Sequence, residues 1–142
     1  EAENERMHLM FFIEIAKPNL FERWLVLFAQ VTFSIFYLLL YLADKRTAHK
    51  MVAYFEEEAV FSYTEYLGLV ENGVMENVPA PQLAIDYYDM NADAKLEDLI
   101  RHVRADEQHH SEVNHRYAAG ESQAMQPAES SDSEKALKAA DL

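Results

Sequence analysis

ENERMHLMFF, residues 3–12, sets Glu5 and His8 three positions apart where a chain segment turns apolar. On a helix, positions i and i+3 share a face, one above the other. A carboxylate and an imidazole at that spacing reach a common point, such as a metal ion, and dimetal carboxylate bundles use Glu-x-x-His on two of their helices. The spacing recurs as Glu107/His110 and Glu112/His115. With 17 Glu and 6 His in the chain, about one match arises by chance. Placement therefore carries more weight than number. Glu5/His8 and Glu107/His110 fall on separate long predicted helices with apolar faces.

The totals agree with a helical protein. Half of the 142 residues are hydrophobic, and only three Gly and four Pro occur, too few for a turn-rich β fold. There is no Cys, which excludes disulfides, thiolate metal sites and Cys nucleophiles. A net charge of −13 argues against nucleic acid as a partner, because its phosphates demand a basic surface. Part of that charge sits in Glu121, Glu129, Asp132, Glu134 and Asp141, near the C-terminal end.

Residues 1–16 read as a helix stopped by Lys17-Pro18-Asn19. Trp24 to Ala43 then runs without a charge, with Lys17 and Arg23 before it and Lys45, Arg46 and Lys50 after it. That length suits a bilayer span, and the symmetric basic ends suit a helix lying in one membrane interface. A buried core helix is the third possibility. A helix over 46–71 follows, then a break at Gly73 and ENVPAPQ. LAIDYYDM reads as a short helix or a strand-like connector, and Asp93 as the cap of a long helix reaching about Ala118. Residues 119–142 are poor in large apolar side chains and are expected to be a disordered tail, with a fraying helix at SEKALKAAD.

A dimetal bundle needs further inward carboxylates. In FEEEAVFSY, Glu56, Glu57 and Glu58 point about 100° apart, so they cannot share one role. Heptad spacing places His49, Glu56 and Tyr63 on one stripe, with Val52, Ala59 and Val70 close to it, while Glu57 and Glu65 face water and Glu58 lies beside the stripe. The plainer reading stands beside this one. A His near an apolar face is usually a hydrogen-bonded core residue, and a run of Glu is usually a solvated face. His102, His109 and His115 read as surface or supporting residues. Composition and spacing leave both a metal bundle and a merely hydrogen-bonded helical protein open.

The flanking residues go further. NERMHLM (4–10), EEEAVFSYTEYL (56–67), ENVPAPQLAIDYY (76–88) and RADEQHHSEVNH (104–115), in this order, closely resemble the alternative oxidases, the cyanide-resistant ubiquinol oxidases. The resemblance covers residues 1–118. Plastid terminal oxidases share the chemistry but match NERMH and EEEA less well.

The resemblance implies an all-α, ferritin-like di-iron four-helix bundle that oxidises ubiquinol and reduces O2 to water without proton pumping. It implies Glu5, His8, Glu56, Glu107 and His110 as iron ligands, with two irons in the complete site. Tyr63 matches a Tyr beside the irons, a candidate redox-active side chain. Asn4, His49 and Asp106 match residues that orient the ligands. Glu58, Ala59 and Ser62 match the quinol pocket. Asp86-Tyr87-Tyr88 stands where the family usually has Asp-Tyr-Trp, so Tyr88 is a departure. The family's remaining ligand is a Glu on a helix upstream of the one bearing NERMH. Residues 1–118 are thus expected to be the C-terminal part of an oxidase domain, supplying three of four ligand helices and inactive alone. The resemblance also implies that residues 24–43 sink into one leaflet of the mitochondrial inner membrane, on the matrix side, and that two protomers form a homodimer. The rival functions are a non-catalytic membrane-surface protein, which would tolerate Glu56→Ala, and a di-iron lipid hydroxylase or desaturase.

Overall fold

The computed structural model describes residues 1–121, and all of their regular structure is helical. In chain order the helices are α1 (Ala2–Ala16), α2 (Leu20–Ala43), α3 (Lys45–Glu71), α4 (Gln82–Tyr88) and α5 (Leu96–Ala119). The expected C-terminal tail and its fraying helix lie outside the described residues, apart from positions 119–121.

Local chemistry sets the breaks. Lys17 ends α1 in the left-handed region at φ 46°, its N–H bonded to the Ile13 carbonyl, and Pro18 prevents continuation. Asn19 and Glu22 then start α2 with reciprocal bonds. The Glu22 N–H donates to Asn19 Oδ1 at 3.0 Å, and the Asn19 N–H to Glu22 Oε2 at 2.7 Å. Asp44 ends α2 and caps α3, accepting from the Arg46 N–H at 3.0 Å and the Thr47 hydroxyl at 2.6 Å.

LAIDYYDM resolves as the short helix α4. The expected cap of the last long helix is corrected: Asp93 sits in the preceding turn, and Asp98 Oδ2 accepts the Lys95 N–H at 2.9 Å to close the start of α5. A pair of backbone bonds explains the displacement. Ala80 N–H donates to the Ala94 carbonyl and Leu96 N–H to the Val78 carbonyl, each at 2.9 Å, so the Pro79 segment is stitched beside Lys95 and sets where the helix begins.

The longest contact runs between α3 and α5. One core cluster joins Met7 and Phe11 of α1 to Ala80, Ala84, Ala94, Leu99 and Val103. A second joins Leu67 and Val70 of α3 to Leu96 and Ile100. Phe12, Ile15 and Tyr63 pack against both and weld them together. By contrast α2 buries no residue, and its Trp24, Phe28 and Leu42 are each about 70% exposed (68%, 70% and 71%). The core-helix alternative for the apolar stretch is therefore not met among the described residues: α2 packs mainly along α3 and turns a broad apolar surface outward.

Candidate metal centre

Three helices deliver the chemistry to one point. From α1 come Glu5 and His8, from α3 Glu56 and Tyr63, and from α5 Asp106, Glu107 and His110. Glu107, 3% exposed, lies in the middle. Its Oε1 is 3.1 Å from His8 Nδ1, and its Oε2 is 3.8 Å from His110 Nδ1. Glu5 Oε1 closes the other side, 2.9 Å from His110 Nδ1 and 3.7 Å from His8 Nδ1. One donor atom from each of Glu5, Glu56, Glu107 and His110 lies within 4.8 Å of all the others. His8 borders this group with its Nδ1 turned inward.

The donor set fits a metal. Bonds of about 2.0–2.2 Å hold ligands on one ion no more than about 4.4 Å apart, close to the spacing found. Three carboxylates crowded together repel unless a cation sits among them. Two ligand atoms are also left over: Glu107 Oε2 and His110 Nδ1 are buried with no hydrogen-bond partner, the imidazole being near Glu5 but out of alignment for a bond. Buried polar atoms are nearly always satisfied, so a pair of unsatisfied donors aimed at one spot points to an ion. Imidazole with carboxylate suits iron, manganese or zinc.

Without a metal, the electrostatics of the cluster reflect the same crowding. Burial raises the Glu56 carboxyl well above the usual range, and the neighbouring Glu107 and Glu5 carboxylates add to it. Burial works against charge on Glu107 too, but the neighbouring imidazoles of His110 and His8 win and hold its carboxyl well below the usual range. Burial likewise opposes protonation of His8 and His110. The carboxylates around them outweigh it and lift them to about 9 and about 10. Protons thus take the place of positive charge between the carboxylates.

Around the donors is a supporting layer. His8 Nε2 lies 3.1 Å from Asp106 Oδ2, and Asn4 Nδ2 donates to that same oxygen at 2.9 Å. Outer partners of this kind fix which imidazole nitrogen faces a metal. His49 stands further off. Its Nδ1 is 2.9 Å from Asn114 Oδ1, and Asn114 Nδ2 donates to the His110 carbonyl at 3.0 Å, so Asn114 links His49 to the backbone of His110. Asn114, 2% exposed, and Tyr88, whose hydroxyl meets both His8 and Asp106, were not legible as site residues from spacing. Only the polar character of Asn114 on the buried face of α5 hinted at one.

Beside the donors is a cleft of about 880 Å³ lined by Glu5, His8, Phe12, Tyr63 and, from α2, Gln30, Phe33 and Ser34. Tyr63 stacks on Phe12 with 5.7 Å between ring centres, and burial raises its phenol well above the usual range. Glu58 and Ser62 are exposed on α3 and Ala59 is half-buried; none of the three lines this cleft. The Ser62 hydroxyl is spent on the Glu58 carbonyl at 2.8 Å. His102 and His109 are exposed, and His115 pairs with Glu57 at 2.7 Å on the surface, which fits their expected roles outside the donor group.

Helices that converge carboxylates and histidines on one point make this a helical protein with a candidate carboxylate–histidine metal site. A family model described as alternative oxidase matches residues 1–119. Over 115 residues, 81% of the chain, it is 56% identical to ubiquinol oxidase 1c, mitochondrial, of Arabidopsis thaliana and 54% identical to ubiquinol oxidase 2, mitochondrial, of Glycine max. Alternative oxidase 3, mitochondrial, of Glycine max is 51% identical over the same length. The chain belongs to the alternative oxidase family. It spans about a third of the length of these relatives (35%, 34% and 35%).

Proposed function

We propose that the chain is the iron-binding part of a ubiquinol oxidase of the mitochondrial inner membrane, with Glu5, His8, Glu56, Glu107 and His110 as ligands. The observation that carries this reading is the convergence of three carboxylates and the His110 imidazole, with His8 beside them and two ligand atoms left unsatisfied. The names of the relatives supply the substrate. Two quinols and one O2 give two quinones and two waters, a balance of four electrons and four protons.

When bound, a pair of irons supplies the redox equivalents and open positions that oxygen reduction requires. The chain's own residues do the rest. Asp106 and Asn4 hold His8 with Nδ1 turned toward the donors. Tyr63, close to Glu5 and Glu107 and kept protonated by burial, is placed to give up a proton and an electron together. The cleft between α1, α2 and α3 opens along the helix with the apolar surface, so a lipid-soluble quinol can approach sideways, with Gln30 and Ser34 as polar contacts. Glu58, Ala59 and Ser62 remain the family-derived candidates for holding the head group.

We assign α2 to one leaflet of the membrane, because its large side chains are exposed along its length and basic residues flank both ends, and the matrix side rests on the family resemblance. A protein attached to one side moves no charge across the bilayer, and the free energy is released as heat. A homodimer and a ferritin-like bundle rest on the family resemblance.

The test is ubiquinol-dependent O2 uptake in the presence of cyanide by membranes carrying the native protein, with Glu56→Ala alongside. Uptake that disappears in the variant is expected; unchanged uptake would contradict the assignment of Glu56. Tyr63→Phe is expected to keep its iron and lose oxygen uptake, whereas a variant with native turnover would remove Tyr63 from the redox chemistry.

A further inference from the structure

At the end of α4, where the family usually carries Trp, Tyr88 is wedged between aromatic neighbours. Its ring centre is 5.8 Å from Phe11, 4.9 Å from Tyr87 and 4.8 Å from His102. This packing leaves the hydroxyl little choice of direction. It sits 2.6 Å from Asp106 Oδ2 and 2.9 Å from His8 Nε2, bridging residues from α1 and α5.

We propose that Tyr88 is a positioning residue that sets His8 toward the metal through a closed Tyr88–Asp106–His8 triad, which Trp at this position cannot complete. A phenol carries one proton and two lone pairs, so it can donate and accept at once, whereas an indole N–H can only donate. The short contact to the carboxylate uses the phenol proton. The phenol oxygen then accepts from His8 Nε2–H, which also leans toward Asp106 Oδ2 at 3.1 Å. Asn4 Nδ2 anchors the same carboxylate oxygen, so Asp106 cannot swing to serve His8 alone. Two acceptors hold the proton on Nε2, so Nδ1, which faces Glu107 and Glu5, is the nitrogen that would offer its lone pair to a bound metal. With Trp, the carboxylate keeps a donor but His8 loses one of its two acceptors. The inference rests on the reading of the donor cluster as a metal centre.

The experiment strips the native protein of metal and titrates it anaerobically with Co(II), reading affinity and the visible ligand-field bands, which report ligand geometry without turnover. Tyr88→Phe is expected to bind Co(II) about 10–100-fold more weakly, the usual cost of losing an outer partner, with shifted bands. Tyr88→Trp is expected to recover part of the affinity and keep shifted bands. Native affinity and bands in Tyr88→Phe overturn the proposal while leaving the metal centre standing. If Tyr88→Phe does not accumulate as folded protein, native bands in Tyr88→Trp overturn it instead. Failure of the unaltered protein to bind any Co(II) overturns the metal reading itself, and this proposal with it.

Discussion

Glu107→Gln is expected to empty the metal centre while leaving the helices folded. Glu107 touches both imidazoles and is 3% exposed, so no solvent group can replace it. Gln matches its shape but brings an amide where two anionic oxygens stood. The cluster falls from three carboxylates to two, and His8 and His110 lose the charge that lifts their protonation. Loss of an outer partner costs about 10–100-fold in metal affinity, and loss of a central ligand should exceed that. Iron per protomer, measured beside far-UV circular dichroism, checks it. Native iron content in a folded Glu107→Gln protein would place the iron elsewhere.

Phe11→Ala is expected to have the largest effect on stability. Phe11 is fully buried, with ring contacts to Tyr87 at 5.7 Å and Tyr88 at 5.8 Å and to His8 at 6.4 Å. Emptying such a site costs about 3–5 kcal/mol, a large part of the about 5–15 kcal/mol that holds a domain together. The site is boxed in by α4 and α5 and cannot collapse easily. The variant should also release metal faster, because Tyr88 and His8 lean on the same ring. Denaturant unfolding and the rate of iron loss report the two effects, and a loss below about 1 kcal/mol would show that the surrounding helices close over the gap.

Much of this arrangement was legible in the order of residues. Glu5 with His8, and Glu107 with His110, are local pairs fixed by helical spacing, and the stripe through Glu56 and Tyr63 follows from the heptad period. Glu5, Glu56, Glu107 and His110 bring donor atoms within 4.8 Å of one another, His8 borders them, and Tyr63 lines the adjacent cleft. The break at Lys17-Pro18 also follows from local chemistry, whereas hydropathy left open whether α2 is buried or exposed. What could not be read is set by contacts between distant segments. Tyr88 meets His8 across 80 residues, and His49 reaches Asn114 across 65. Asp93 looked like a cap because cap preference is a local rule; the backbone bonds joining Val78 and Ala80 to Leu96 and Ala94 moved the helix start past it. The four motifs identified the family more firmly than the spacing did. Tyr88, whose hydroxyl meets His8 and Asp106, needed three dimensions to interpret.

The most direct test is the anomalous X-ray signal at the iron edge from crystals of the native protein. Two iron positions about 3.5–4 Å apart, lying between Glu5, His8, Glu56, Glu107 and His110, are the predicted result. Iron bound away from these five side chains, or a centre in which His8 and His110 stay paired with Glu107 and no iron is present, would contradict it.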